Sequence, residues 1–156
     1  MFTTPVWGES ANKSDITFSC QDERGIPNTI AKNKQGKTQT VFYWNKDIFP
    51  DTSDTLELCN NVSEKLNNYT AEGKDLSLFV LQANEQIGLP TVCATETGVD
   101  CDLVLFTLAP TEEPIYTAGE TLRGILHQEV SETSLHATRN NQLKQLFSIN
   151  LFPNEE

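Results

Sequence analysis

Ile16, Phe18 and Cys20 alternate with Thr17 and Ser19, a period of two that predicts a strand over 15–20 with the three apolar side chains inward. Thr29-Ile30-Ala31 and the run from Gln39 to Trp44 are further strands, and Asn33-Lys34-Gln35-Gly36 between them has the composition of a hairpin turn. The period then lengthens. Leu58, Cys59, Val62, Leu66 and Tyr69 form one apolar stripe of a helix over 55–72. Asp54 with Glu57 resembles a capping pair at its start, and Gly73 suits a left-handed stop at its end. Strands are expected again at 76–81, 89–94 and 103–108, with Pro90 at the start of the second, where a missing N–H is tolerated. Thr97 to Asp100 supplies the turn between the last two. A second helix is expected over 117–130, opened by Thr117-x-x-Glu120, with Leu122, Ile125 and Leu126 on one face. Gly119 and Gly124 are each expected to weaken that helix by about 1 kcal/mol relative to alanine.

This order, β-β-β-α-β-β-β-α with short connections, predicts an α+β fold: a mostly antiparallel sheet of five to six strands with two helices packed on one face. Residues 1–14 read as a flexible leader, 15–130 as the domain and 131–156 as a tail. In the tail Leu143, Leu146 and Phe147 fit a short helix, while Phe147, Ile149 and Leu151 alternate as in a strand.

A length of 156 residues suggests one domain, and 37% hydrophobic residues with two Trp, three Tyr and eight Phe suffice for a core. No run approaches the ~20 apolar residues of a transmembrane helix. With 11 Lys and Arg against 22 Asp and Glu, the net charge of −11 argues against nucleic-acid binding, which needs clustered cations. The charge is also uneven. Residues 75–122 hold eight acids and no Lys or Arg, whereas Arg24, Lys32, Lys34, Lys37 and Lys46 place five of the eleven cations around the first hairpin. Phe42, Tyr43, Trp44 and Phe49 lie beside them. Solvated loops explain such charge in many proteins and core packing is the stronger expectation for the rings, but exposed rings beside cations are also typical of interfaces. Lys32, Lys34, Lys37, Trp44 and Lys46 are therefore the candidate partner-binding residues.

Other chemistry is sparse. The two histidines, His127 and His136, lack the i, i+4 spacing of a helical metal site. His127 is expected to close the second helix, and His136 to lie in a solvated loop or tail. No G-x-S-x-G nucleophile turn or Gly-rich phosphate loop occurs. Asp51-Thr52-Ser53-Asp54 and Asp100-Cys101-Asp102 could offer oxygens to calcium, but neither fits the twelve-residue loop. Glu112-Glu113 has no apolar pocket around it that would raise a carboxyl pKa. No catalytic residue, metal site or cofactor is expected, and the chain reads as non-enzymatic.

Cys20, Cys59, Cys93 and Cys101 include no C-x-x-C pair, and an even number in apolar or hairpin settings points to two disulfides and an oxidising compartment. Four buried thiols are the alternative. Of the three possible connectivities, Cys20–Cys59 with Cys93–Cys101 is favoured, because the latter two sit eight positions apart across a turn. By chain entropy these bridges would contribute roughly 4 and 2.5 kcal/mol. Met1-Phe2-Thr3-Thr4-Pro5 has neither the positive nor the apolar region of a secretory signal, so an exported form would have lost one.

Phe18-Ser19-Cys20, Pro27-x-Thr29-x-Ala31, Trp44, Cys59-x-x-Val62-Ser63 with Leu66 and Tyr69, Gly88 to Ala94, and Cys101 to Leu108 together resemble the circadian oscillating protein (COP) domain family of cyanobacteria. The resemblance runs from Ile16 to about Val130. It implies an exported domain of the periplasm or thylakoid lumen, able to associate peripherally with membranes, and it brings no catalytic residues. The expected function is a binding or accessory module that docks on a membrane-associated or secreted protein. Regulation or inhibition of an exported serine peptidase is the alternative, with Val99 or Leu103 offered from the turn closed by Cys93 and Cys101.

Overall fold

The computed structural model describes residues 16–49, 53–73, 76, 78–96, 100–126, 131–137 and 143–152. Eight strands form two antiparallel sheets instead of the single sheet expected. The first is β1 (Thr17–Glu23), β2 (Ile26–Lys32) and β3 (Thr38–Tyr43), in that order. The second contains β4 (Leu78–Gln86), β5 (Leu89–Thr95), β6 (Leu103–Thr107), β7 (Ser131–Ala137) and β8 (Leu143–Asn150), in the order β6-β5-β4-β8-β7. The helices do not share one face. Helix α1 (Thr55–Ala71) packs on β1 and β2 and reaches β6, whereas α2 (Pro114–Ile125) packs on β4, β5 and β8. The sheets separate where β3 ends, because Asn45 caps a 3-10 turn (Lys46–Ile48) by accepting from the Asp47 N–H, and the chain turns away.

Helix α1 begins as its sequence dictates: the Asp54 carboxylate accepts from the Glu57 N–H at 3.2 Å. Gly73 ends the helix region at φ 94°. Its buried stripe of Cys59, Val62, Ser63, Leu66 and Tyr69 covers the inner face of the first sheet, and the Cys20–Cys59 disulfide ties it to β1. The helix also closes two sheet edges. The Asn67 side-chain amide donates to the Phe18 carbonyl and accepts from the Phe18 N–H, both at 2.7 Å, in place of a neighbouring strand. Lys65 Nζ donates to the Val104 and Leu105 carbonyls on edge strand β6 at 3.1 and 3.2 Å.

Between the sheets, Trp44 is wholly buried. Its ring centroid lies 5.4 Å from that of Phe42, 6.0 Å from Phe49 and 5.4 Å from Phe106, so it touches both sheets. Burial strands the indole N–H unless it finds an acceptor. It donates to Thr29 Oγ1 at 2.9 Å, and that hydroxyl also meets Ser63 Oγ at 3.1 Å. Thr29, Ser63 and the disulfide sulfur of Cys59, 3.6 Å from Thr29 Oγ1, form one buried polar seam.

Two boundaries differ from expectation. Helix α2 starts at Pro114, not Thr117, since Pro at the first position presets the helical φ and Thr117 instead pairs its hydroxyl with Thr111 at 2.9 Å. It also ends at Ile125, and Gly124 lets Ile48 approach, since a Cβ there would sit 2.6 Å from Ile48 Cγ2. Residues 131–137 and 143–150 are strands of the second sheet. Strand β8 pairs with β4 over Leu78–Ala83 and lies second from the sheet edge, with Phe147 and Ile149 buried, so the domain continues through it.

Two hairpins close in two-residue turns with positive φ at both positions: Arg24-Gly25 (56° and 85°) and Ile87-Gly88 (55° and 77°). Such turns match strand twist and favour Asn, Asp or Gly at the first position. Arg24 and Ile87 both depart from that preference, and Ile87 departs further, as a β-branched residue in the left-handed region with 97% of its surface exposed.

Replacing Trp44 by Ala is expected to lower the unfolding free energy of the oxidised chain by about 3–5 kcal/mol, measured by urea denaturation; a loss under about 1 kcal/mol would deny Trp44 this place. Ile87→Asn should act in the opposite direction, raising stability by about 1 kcal/mol as backbone strain is relieved. A lower midpoint for that variant would contradict the reading of the turn.

Candidate functional site

Lys32 ends β2, and Lys34 and Lys37 flank the turn to β3. That turn is organised by Asn33, whose side-chain oxygen accepts from the N–H groups of Gln35 (3.0 Å) and Lys37 (2.9 Å). Gly36 supplies the positive φ, 90°, that the turn requires. The three lysines are exposed and share this end of the first sheet.

The other members of the expected set lie elsewhere. Lys46 sits beyond β3, in a groove of about 440 Å³ lined also by Asp22, Gly25, Pro27 and the start of α1. Strand β2 separates that end from Lys32 by about 20 Å at the usual rise per residue. Asp22, Glu23 and Asp47 surround Arg24 and Lys46 there, so this end is mixed in charge, and the five cations do not form one patch. Trp44 is a correction in kind: it is core, not surface. A register shift opposite Thr29 and Ile30 puts both Val41 and Phe42 into the core, and from Phe42 the alternation resumes, with Phe42 and Trp44 inward and Tyr43 outward. The ring left outside is Tyr43, 36% exposed, which shares the outward face of the sheet with Ser19, Ile30 and Lys32.

Residues 75–122, which build most of the second sheet, carry acids without Lys or Arg. Glu85, Glu112 and Glu113 are exposed, the first near the end of β4 and the others in the connection from β6 to α2. Asp102 has a backbone partner, accepting from the Glu96 N–H at 2.8 Å, and Asp54 serves as the helix cap, so each is committed to holding the fold. Asp51, Thr52, His127 and Val99 lie outside the described residues. His136 falls in strand β7 opposite Lys144, not in a loop. Among the described residues no group of three His, Cys, Asp or Glu side chains converges.

Both disulfides have the favoured connectivity, Cys20–Cys59 and Cys93–Cys101, with Cα separations of 5.6 and 5.4 Å. Leu103, a candidate inhibitory residue, opens β6 and is half-buried against the core. It is not carried on an exposed loop.

The sequence profile of the family described as circadian oscillating protein COP23 matches residues 17–154. The chain belongs to this family. The match takes in β7 and β8, so in this COP23 domain both sheets are family structure, and the resemblance extends past Val130. No curated protein and no solved structure matches the chain. No helix of the described COP23 domain is long and apolar enough to cross a membrane.

Exposed apolar residues were harder to find from the sequence. Tyr43, Leu56, Ile87 and Tyr116 are conspicuous at the surface, and the one signal for Ile87 was its place before Gly88 between two strand-like runs. In a Trp7→Phe background, the remaining indole should emit at short wavelength and resist acrylamide quenching until the chain unfolds. Ready quenching of the native state would return Trp44 to the surface.

Proposed function

We propose that this COP23-family domain is a non-enzymatic, exported accessory module. It docks through the lysine end of its first sheet on an acidic surface of a membrane-associated or secreted protein. The observation that carries this reading is the segregation of charge. In a chain of net charge −11, residues 26–46 contain four lysines and no acid, and three of those lysines stand exposed together at one end of a sheet. A local field opposite in sign to the whole molecule orients an approaching acidic partner more than it adds affinity. Tyr43, on the outward face of the same sheet about 13 Å along the strands from Lys32, supplies an aromatic contact of the kind enriched at interfaces.

Two features support the wider reading. The disulfides persist in oxidising compartments, which favours export over a reducing cytosol. The Cys20–Cys59 bridge also fixes the lysine-bearing sheet to α1, so the surface is preorganised and little ordering cost falls on binding. Periplasm or thylakoid lumen are the compartments proposed, with peripheral membrane association through the partner.

The test is titration of the partner recovered with immobilised oxidised chain from soluble and membrane fractions. Lys32→Glu/Lys34→Glu/Lys37→Glu should weaken its binding about tenfold or more, equivalent to about 1.4 kcal/mol, with a lower on-rate and an unchanged unfolding midpoint. A dissociation constant equal to that of the unaltered chain would remove this surface from the function.

A further inference from the structure

A second surface lies on the other sheet, at the end away from the start of β4. Thr91 pairs with Thr107, and the Leu108 N–H donates to the Pro90 carbonyl at 2.9 Å. The Ile87-Gly88 turn and the connection from β6 to α2 therefore emerge side by side. Residues 108–113 are the whole connection from the end of β6 to α2, so the first turn of α2, with Tyr116, starts out from this same end before the helix runs over β4 and β5. Ile87 is 97% exposed and Tyr116 is 58% exposed. Glu85 on β4 and Glu112 and Glu113 in the connection are exposed carboxylates around them. On the far side of β4, away from the connection, β8 brings Lys144 to this end; the side facing Glu112 and Glu113 has no Lys or Arg from 75 to 122.

Ile87 contributes nothing to folding that explains its presence. It buries almost no surface, and its φ of 55° is one that a β-branched side chain opposes and Asn or Gly would accept. A strained residue that fails to reward the fold points to a role outside it. We propose that Ile87 and Tyr116 are the apolar anchors of a second docking surface. Its partner is a protein with an apolar pocket rimmed by Lys or Arg on the side that meets Glu112 and Glu113. The turn is well suited to enter a pocket: two backbone positions hold it rigid between paired strands, so little conformational freedom is lost on binding. Exposed carboxylates at the rim would speed encounter with a basic partner and make the contact salt-sensitive. This surface is separate from the lysine end of the first sheet, and the domain could engage both partners at once.

The experiment replaces Tyr116 in the full oxidised chain by the photo-crosslinker benzoylphenylalanine. It is irradiated in extracts and with vesicles of anionic phospholipid, and any protein adduct is purified for titration against designed variants. The expected result is a protein other than this chain. Its dissociation constant should rise at least tenfold with Ile87→Asn, several-fold with Glu112→Gln/Glu113→Gln and with added salt, and not at all with Lys32→Glu/Lys34→Glu/Lys37→Glu. Because Ile87→Asn should also raise the melting temperature, its loss of binding separates from misfolding. The inference is overturned by any of four outcomes: no adduct; an adduct with a second copy of this chain; attachment to vesicles that Ile87→Asn abolishes; or a partner indifferent to Ile87→Asn. A partner lost only with the lysine reversals belongs to the first surface and likewise overturns this one.

Discussion

Everything in this fold depends on how an indole is buried between two sheets. Trp44 cannot lie at 0% exposure without an acceptor for its N–H, and Thr29 in β2 provides it. Thr29 in turn lies under α1, against Ser63 and the Cys59 sulfur, so the position of the helix is set by the same hydroxyl. Phe106 brings the second sheet to the other side of the ring. One side chain thereby fixes the first sheet, the helix above it and the edge of the second sheet. The Cys20–Cys59 bridge lies beside this seam and restricts the unfolded chain across a 39-residue separation.

From that join the outward surfaces follow. Helix α1 is spent on the interior, with its apolar stripe on the first sheet and Asn67 and Lys65 closing strand edges that would otherwise invite pairing with other chains. Among the described residues, the surfaces left to solvent include the turns at the sheet ends and the outward face of the first sheet. The turns carry opposite charge: lysines where β2 meets β3, carboxylates where β4 meets β5 and where β6 leads to α2. Rigid turns on paired strands are suited to recognition, because the scaffold holds them in place before a partner arrives.

Much of this was legible in the residues, for reasons that differ by element. Helix α1 could be placed to within one residue because Asp54, the apolar stripe and Gly73 are local signals acting together. The cysteine pairing was favoured from the turn between Cys93 and Cys101 but not fixed by it, since three connectivities were open, and the structure has the favoured one. The second half of β4, Gln82 to Gln86, was not, since its polar residues give no alternation although Gln82 is buried. Strand β7, Ser131–Ala137, offers a single leucine, so only its pairing with β8 reveals it. The division into two sheets rests on the turn after Trp44, a tertiary outcome with no periodic signature. At the candidate site, the lysines were found by charge alone. Trp44 was included for its place beside the lysines, although alternation with Phe42 already allowed it a core position, and the structure buries both.

The claim that one buried join couples both sheets is tested most directly by native-state hydrogen exchange, resolved by residue, on the oxidised chain. Amides of β2 and of β4 and β5 should open with the same free energy, close to that of global unfolding, as parts of one cooperative unit. If the first sheet exchanged with a distinctly lower opening energy than the second, the two would be separable bodies, and the account of Trp44 as their common anchor would be wrong.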